Sequence, residues 1–483
     1  MRVLESLEPA KVFYYFEEIC KIPHGSGNVE AISDYLKKFA EERDLEVYQD
    51  DIKNIVIIKE ASEGYEAEPT VILQGHMDMV AVHKPELSID MTKEPLHLKM
   101  EGDFVYAEGT SLGGDDGIAV AYALAILDDD SIKHPRLEVI ITVDEETGMD
   151  GAREIDLSML KGSRLLNLDS EEEGIFLTSC AGGARVDCRL QPEFTEITGL
   201  EFELLLGGLA GGHSGVEIHK ERGNSNKLAG RLLWHLYLEE VQFGLVSVQG
   251  GLADNAIPRE TVVRVLVAPE LKESFVSAVE AFEQEVKAEL ATKDPGFCIA
   301  VKECGETQKN AITGNSLAVT GALLNSLPNG VQAMSADIKG LVETSLNLGV
   351  LSINENGVSA SFSVRSSVES SKKALIEKLM SVVVLAGGEA EVEGDYPGWS
   401  YRVNSPLREK MIALYKEMYE EEPKVEAIHA GLECGLLASK IADLDCVSFG
   451  PNMFNIHTTE EKLSISSTAR VWQYLVALLE KKG

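Results

Sequence analysis

The chain carries the run Thr-Val-Ile-Leu-Gln-Gly-His-Met-Asp at residues 70–78, and this run decides the fold class. Its first part, residues 70–73, is apolar enough for a strand buried on both faces of a sheet, and polar residues follow at once. Three further apolar runs are also followed directly by polar or acidic residues, at 137–143, 165–168 and 446–449. Helical patterns lie between these runs, so we predict an α/β fold with a mostly parallel sheet.

The composition is that of a water-soluble protein with more than one domain. A chain of 483 residues exceeds the size at which a single hydrophobic core stops growing. Asp and Glu number 80 against 44 Lys and Arg, and the resulting net charge of −36 repels nucleic acid and anionic membranes. We therefore expect neither nucleic acid nor a membrane as a partner.

The cysteines and the first residues predict a reduced, cytoplasmic protein. The 7 cysteines are scattered without a CxxC pair, so neither a disulfide framework nor a thiolate zinc site is expected. Residues 1–13 contain early acidic residues and lack the apolar core of a signal peptide. No apolar run approaches the roughly 20 residues that a membrane-spanning helix needs.

The middle of the chain has a different pattern, and we predict that it is inserted into the α/β domain. Residues 1–183 and 398–483 would form the first, discontinuous domain, and residues 184–397 the second. Elements at 202–206, 225–238, 245–249, 261–267, 270–290 and 297–302 follow the β-α-β-β-α-β order of a ferredoxin-like unit. The run at 315–321 resembles that at 224–230, and both open a helix, which leaves open whether the insert is an internal duplication.

Five short segments place histidines and carboxylates just after predicted strands: 75–78, 113–117, 144–148, 167–170 and 455–458. The carboxyl ends of parallel strands lie at one edge of the sheet, where ligands bind, so we expect these segments to converge. Imidazole and carboxylate without thiolate suit Zn²⁺, Co²⁺ or Mn²⁺. Taken singly, each segment has a simpler interpretation as a turn, a loop or solvated surface; their common placement favours a metal site.

The residues of these segments suggest separate roles. The histidines and carboxylates exceed what one tetrahedral ion needs, and two ions about 3.5–4 Å apart would use them all. Asp115, in the glycine-rich turn, is the candidate bridge between them. Of the neighbours Glu145 and Glu146, one can bind an ion while the other acts as a general base. Asp78 lies two residues after His76 and could orient that imidazole.

These motifs resemble those of the M20 metallopeptidases, and within them the aminoacyl-histidine dipeptidases, also called cytosol non-specific dipeptidases. The resemblance extends over nearly the whole chain and includes residues 211–215 and 450–457. It implies one ion on His76, Asp115 and Asp169 and a second on Asp115, Glu146 and His457. Glu145 would be the general base, and Asp78 would be the helper that orients His76. The second domain would be a lid, about twice the size of the single ferredoxin-like unit in simpler members.

Four further residues are candidates for substrate binding. His213, in a glycine-rich turn, could stabilise the oxyanion, and Asn255 resembles a family asparagine that donates to substrate. Arg365 could clamp the terminal carboxylate of the peptide with its two-pronged guanidinium, although a surface arginine on a strand is the alternative. Glu433 could hold the substrate ammonium group; the alternative is a helix-starting glutamate stabilised by the helix dipole.

The resemblance implies hydrolysis of dipeptides that have a free amino terminus and preferably a C-terminal histidine, including β-alanyl-histidine. A metal-bridged hydroxide would attack the peptide carbonyl, with zinc as the expected ion and cobalt or manganese as alternatives. Two other functions are alternatives: an M20-like deacylase or carboxypeptidase acting on N-acyl amino acids, and a catalytically dead scaffold, which the complete ligand set argues against. Both a homodimer and a self-sufficient monomer stay open, since a long lid could supply His213 within one chain.

Overall fold

The computed structural model describes residues 2–482; Met1 and Gly483, the ends of the predicted first domain, lie outside the described residues. The helices are α1 (Ala10–Ile19), α2 (Glu30–Glu41), α3 (Gly114–Leu127), α4 (Glu145–Gly148), α5 (Asp150–Glu154), α6 (Ser225–Leu238), α7 (Lys272–Leu290), α8 (Gly314–Ser326), α9 (Glu369–Leu385), α10 (Pro406–Tyr419), α11 (Glu433–Lys440) and α12 (Ile465–Glu480). The strands are β1 (Glu46–Gln49), β2 (Ile55–Lys59), β3 (Val71–His76), β4 (Leu98–Glu101), β5 (Phe104–Ala107), β6 (Leu137–Thr142), β7 (Arg164–Asn167), β8 (Ile175–Cys180), β9 (Gly182–Leu190), β10 (Phe194–Gly207), β11 (Gly212–His213), β12 (Phe243–Gly250), β13 (Ala256–Ile257), β14 (Thr261–Val267), β15 (Cys298–Ile312), β16 (Gly330–Met334), β17 (Val342–Asn354), β18 (Gly357–Ser366), β19 (Glu389–Tyr396), β20 (Lys424–Ile428), β21 (Asp445–Ser448), β22 (Met453–Phe454) and β23 (Lys462–Ser464).

The chain divides into two compact units. The first unit comprises residues 2–179, 401–427 and 432–482, and the second comprises residues 180–400 and 428–431. The short segment 428–431 thus clusters with the second unit, although it lies within the range 398–483 that the sequence assigned to the first domain. Among residues 2–482, no helix combines the length and the apolar character needed to cross a membrane.

The first unit is built on an eight-stranded sheet in the order β1-β2-β6-β3-β7-β21-β8-β20. Its central strands β6, β3, β7 and β21 are parallel, as predicted, whereas the neighbouring pairs β1–β2, β2–β6 and β21–β8 are antiparallel. Every residue of β6 and of β21 is buried, including the polar Glu138 and Thr142 of β6 and Asp445 and Ser448 of β21. Helix α3 is apolar on all sides and buried throughout, packed against α1 and β3.

The second unit is built on one antiparallel sheet made of two similar halves. In the first half, β15, β10, β14 and β12 are neighbours in that order, with α6 and α7 connecting them. In the second half the order is β19, β9, β18 and β17, with α8 and α9. Each half has the ferredoxin-like arrangement, and β12 pairs with β17 where they join. The second half does not simply follow the first along the chain, because its first strand, β9, precedes the whole of the first half.

Candidate metal centre

The predicted ligands converge at the carboxyl edge of the parallel strands in the first unit. His76 is the last residue of β3, Glu146 lies in α4 directly after β6, and Asp169 follows β7. Asp115 lies at the start of α3, where its backbone is still non-helical. His457 comes from the loop between β22 and β23. The fold therefore brings five separate segments of the chain to one place.

Each oxygen of the Asp115 carboxylate faces a different imidazole. Its Oδ1 is 3.1 Å from His76 Nε2, and its Oδ2 is 3.1 Å from His457 Nε2. On the outer sides, Asp169 Oδ1 lies 3.5 Å from His76 Nε2 and Glu146 Oε1 lies 3.0 Å from His457 Nε2. Asp115 thus occupies the centre of the cluster, with one histidine and one further carboxylate on each side.

This donor set fits divalent metal ions. Ligand atoms of His76, Asp115 and Glu146 lie within 4.8 Å of one another, and so do those of His76, Asp116 and Asp169. The carboxylates outnumber the imidazoles, and burying that much negative charge is unfavourable without cations. Burial raises the pKa of Asp116 well above its usual range, and burial together with the nearby Asp115 raises the pKa of Asp169 to about 6. Ions bound between these groups would remove the repulsion.

The surrounding carboxylates favour the charged forms of both imidazoles. Although burial opposes a charge on His76, Asp169, Asp115 and Asp78 hold its pKa well above the usual value. Asp115 and Glu146 raise the pKa of His457 to about 10. A histidine must be neutral to bind a metal ion, so metal binding here would release these protons.

Asp78 connects His76 with the start of helix α4. Its backbone carbonyl lies 3.0 Å from His76 Nδ1 and its carboxylate 3.4 Å, so Nδ1 is the donor nitrogen and Nε2 is left facing Asp115. The same carboxylate accepts hydrogen bonds from the backbone N–H groups of Glu145 at 3.1 Å and Glu146 at 3.4 Å. Burial raises the pKa of the Glu145 carboxyl well above its usual range.

Glu433 is the first residue of α11, at the position of the helix-starting glutamate in the alternative interpretation. It is fully buried in the first unit, and its Oε2 accepts hydrogen bonds from Gln74 Nε2 and Thr142 Oγ1, both at 2.6 Å. Burial raises its pKa to about 8. Its Oε1 has no hydrogen-bond partner among the described residues. The ammonium-binding role of Glu433 stays a prediction, and in that role the substrate ammonium group would have to reach a fully buried carboxyl group.

Sequence reasoning missed two acidic residues of the centre. Asp116 is fully buried, and its Oδ2 accepts the backbone N–H of His76 at 3.2 Å. Glu461 accepts backbone N–H groups of the turn that carries Asp115. Asp116 belongs to the same glycine-rich motif as Asp115 and could have been considered. No local pattern points to Glu461, because its hydrogen-bond partners lie 347 to 349 positions away in the chain.

In the second unit, the structure brings His213 close to Asn255. His213 lies in β11 opposite Ala256 of β13, and the backbone N–H of Ser214 donates to the carbonyl of Asn255 at 2.8 Å. The His213 Nδ1 accepts the N–H of Gly215 at 3.1 Å, so the hydrogen of the neutral ring is on Nε2. Burial and the charge of Arg365 lower the pKa of His213, which favours this neutral form. The Asn255 side chain is exposed.

Arg365 lies in β18 and is only 9% exposed, so it is not the surface arginine of the alternative interpretation. Its Nη1 donates to the hydroxyl of Tyr396 at 3.2 Å, and its Nε has no hydrogen-bond partner among the described residues. Burial and the positive charge of Arg365 lower the pKa of nearby His429 to about 3. His429 Nε2 is 2.7 Å from the hydroxyl of Ser345, which pairs with Arg365 across the two strands.

Comparisons with known proteins agree with this arrangement. The model of the peptidase family M20/M25/M40 matches residues 72–481. The cytosol non-specific dipeptidase of Escherichia coli is 38% identical over 483 residues, which cover 100% of this chain and 99% of the relative. The crystal structure of aminoacylhistidine dipeptidase from Vibrio alginolyticus superposes with a TM-score of 0.93 at 38% identity, covering 99% of this chain and 98% of the other.

A more distant structure shares the fold alone. Aminopeptidase PepT from Bacillus cereus has a TM-score of 0.56 at 15% identity, with 98% of each chain covered. The predicted fold class, an α/β peptidase domain with an inserted ferredoxin-like domain, is confirmed by the strand order and by these matches. With a family model that matches most of its length, the chain belongs to the peptidase family M20/M25/M40.

Proposed function

We propose that this chain is a metal-dependent dipeptidase that acts on dipeptides with a free amino terminus and prefers a C-terminal histidine. The observation that supports it best is the Asp115 carboxylate, whose two oxygens each lie 3.1 Å from a different imidazole. That geometry suits a carboxylate that bridges two ions. The dipeptidase assignment follows the names of the relatives from Escherichia coli and Vibrio alginolyticus, and the histidine preference follows the latter name.

Two divalent ions complete the proposed centre, with zinc as the first choice and cobalt or manganese as alternatives. One would be held by His76, Asp115 and Asp169, and the other by Asp115, Glu146 and His457. When bound, such ions polarise the scissile carbonyl and lower the pKa of water.

The protein side chains then have separate tasks in the proposed reaction. Glu145 accepts the proton of the attacking water and passes it to the leaving amine. Asp78 holds the His76 ring with Nε2 directed at Asp115. His213 offers its Nε2–H to the oxyanion, an interaction that is worth about 3–4 kcal/mol in well-studied hydrolases. Asn255 donates a further hydrogen bond, and Arg365 binds the terminal carboxylate of the substrate through its guanidinium.

The buried Glu433 provides a separate test of amino-terminal recognition. If its free Oε1 receives the substrate ammonium group, Glu433→Gln should lower kcat/KM for free dipeptides. The same variant should leave zinc binding unchanged, because Glu433 is not among the proposed ligands. An unchanged kcat/KM would remove Glu433 from the substrate site and leave it as a support for Gln74 and Thr142.

The experiment that tests the function is a dipeptide panel with metal-free protein and added Zn²⁺, Co²⁺ or Mn²⁺. It should contain β-alanyl-histidine, other dipeptides ending in histidine, matched dipeptides with a different last residue, and N-acetylated forms. Hydrolysis of the free dipeptides only after metal addition, fastest for those ending in histidine, is the expected result. Faster cleavage of the acetylated compounds would contradict the proposal and favour a deacylase or carboxypeptidase.

We also propose a cytoplasmic location, in line with the name of the Escherichia coli relative. The net charge of −36 suits a protein that binds small peptides without nucleic acid or membrane partners. The proposal holds for a homodimer and for a monomer. A monomer would use its own His213, whereas in a homodimer His213 could serve the partner subunit. Light scattering measures the oligomeric state directly.

A further inference from the structure

Glu461 makes an unusual set of contacts with the turn that carries Asp115. Its side chain is only 3% exposed. Its Oε2 accepts the backbone N–H groups of Leu112 at 2.7 Å and Gly113 at 3.1 Å, and its Oε1 accepts that of Gly114 at 2.8 Å. The N–H of Asp115 itself lies 3.5 Å from Oε1. One carboxylate therefore serves four consecutive N–H groups, the last of them over a longer distance.

These N–H groups need an acceptor from elsewhere in the chain. Leu112 and Gly113 lie just before α3, and Gly114 and Asp115 are its first two residues, so these N–H groups have no acceptor within the helix. The residue before α3, Gly113, has a left-handed backbone with φ 67° and provides no capping side chain. A Cβ at Gly114 would lie 3.2 Å from Glu461 Oε1, so glycine allows the carboxylate to come this close. Negative charge at a helix start is also favoured by the helix dipole.

Glu461 also belongs to the loop that carries His457. The loop is held by the N–H of Glu461 donating to the Thr458 carbonyl at 3.3 Å and by the Thr458 hydroxyl donating to the Asn455 carbonyl at 2.7 Å. His457 itself has a left-handed backbone, with φ 61°, which a residue with a side chain rarely adopts without support. The Glu461 carboxylate thus ties the loop of one proposed ligand to the turn of another.

We propose that Glu461 is a positioning residue that fixes the Asp115 carboxylate relative to the His457 imidazole, and thereby the spacing of the two ions; this rests on the proposed metal centre. Glu461 is not among the proposed ion ligands or substrate-binding residues. It acts through the backbone on both sides of the 3.1 Å contact between Asp115 Oδ2 and His457 Nε2. Loss of its charge should loosen that contact while the sheet remains intact.

The test compares Glu461→Gln with Glu138→Gln in the full-length protein. Glu138 is a matched control, because it is fully buried and accepts the consecutive backbone N–H groups of Lys161 at 2.9 Å and Gly162 at 3.0 Å. It lies near the beginning of β6, at the end of the sheet away from the proposed centre. Three properties are measured for each variant: thermal unfolding of metal-free protein, zinc affinity by chelator competition, and the visible absorption spectrum of the Co²⁺ form.

Both variants should unfold at lower temperature, but only Glu461→Gln should bind zinc more weakly, by about 10- to 100-fold, and show a changed Co²⁺ spectrum. A Glu461→Gln protein with the affinity and spectrum of the unsubstituted protein would overturn the inference, as would equal changes in Glu138→Gln. If Glu461→Gln does not fold, Glu461→Asp, which keeps the charge but is shorter, is measured in the same way. Failure of both to fold would make Glu461 a structural residue only. Absence of metal binding by the unsubstituted protein would instead contradict the proposed function.

Discussion

Asp78→Asn tests how much of the proposed centre depends on the support of His76. The Asp78 carboxylate accepts a hydrogen bond from Ser26 Oγ at 2.8 Å and from the Glu145 N–H at 3.1 Å, and it lies 3.4 Å from His76 Nδ1. Asparagine has the same shape, but its NH₂ group would face one of these donors. A buried donor without a partner costs about 1–3 kcal/mol, so we expect a loss of stability of about that size. Loss of a supporting partner also weakens zinc binding by about 10- to 100-fold.

The assay combines urea unfolding of the metal-free protein with zinc titration against a chelator. Asp445→Asn is the control, because Asp445 is only 6% exposed and accepts hydrogen bonds from Ser405 Oγ at 2.5 Å and Leu407 N at 3.0 Å. It opens β21, at the end of that strand away from the proposed ligands. Asp445→Asn should lower stability and leave zinc affinity unchanged. Unchanged zinc affinity in Asp78→Asn, or equal weakening in the control, would refute the reasoning.

Three further substitutions test separate roles. Glu145→Ala should keep both ions and lose about 10²- to 10⁴-fold in kcat, and full turnover would exclude it as the base. His213→Ala should lose about 10²- to 10³-fold in kcat at unchanged zinc content; activity regained on mixing it with Glu145→Ala would show that His213 serves a partner subunit. In metal-free protein, Asp115 and Glu146 raise the pKa of His457 from the ordinary 6.5 to about 10. The charged imidazole therefore stabilises the fold fully below pH 6.5, and this stabilisation is lost as the pH rises through 10. His457→Gln should therefore reduce the fall in melting temperature between pH 7 and pH 10, and an identical fall would contradict this sign.

The central strands could be predicted because their mostly apolar sequences indicate directly that they are buried. Strand β6 is buried at every position, and apart from Glu138 and Thr142 it is apolar, as expected for a strand covered on both faces. The convergence of His76, Glu146 and Asp169 followed from topology, since the carboxyl ends of parallel strands share an edge. Asp115 and His457 instead come from the start of α3 and from the loop between β22 and β23, outside the parallel strands. By contrast, β10 begins at Phe194, well before the predicted strand at 202–206. Residues 194–199 of β10 are mostly polar, and they pair with residues 307–312 of β15, most of which are also polar. This part of β10 therefore has no apolar pattern that would indicate a strand.

Contacts between distant segments account for what the sequence did not predict. Strand β9 belongs to the second half of the sheet in the second unit, although the whole first half separates it from β18 in the chain, and no local signal specifies that pairing. Glu433 was predicted to bind substrate, with a helix-starting glutamate as the alternative; it does begin α11, but its buried setting is made by Gln74 and Thr142, which come from two strands. Glu461 is similar, because its hydrogen bonds are to the backbone of Gly113 and Gly114 and no motif points to them.

Anomalous diffraction at the zinc edge, from crystals of the zinc-loaded protein, tests the central claim most directly. The account predicts two peaks about 3.5–4 Å apart, with one Asp115 oxygen bound to each. One peak should also contact His76 and Asp169, and the other Glu146 and His457. A single peak, or two peaks of which only one touches Asp115, would contradict the account.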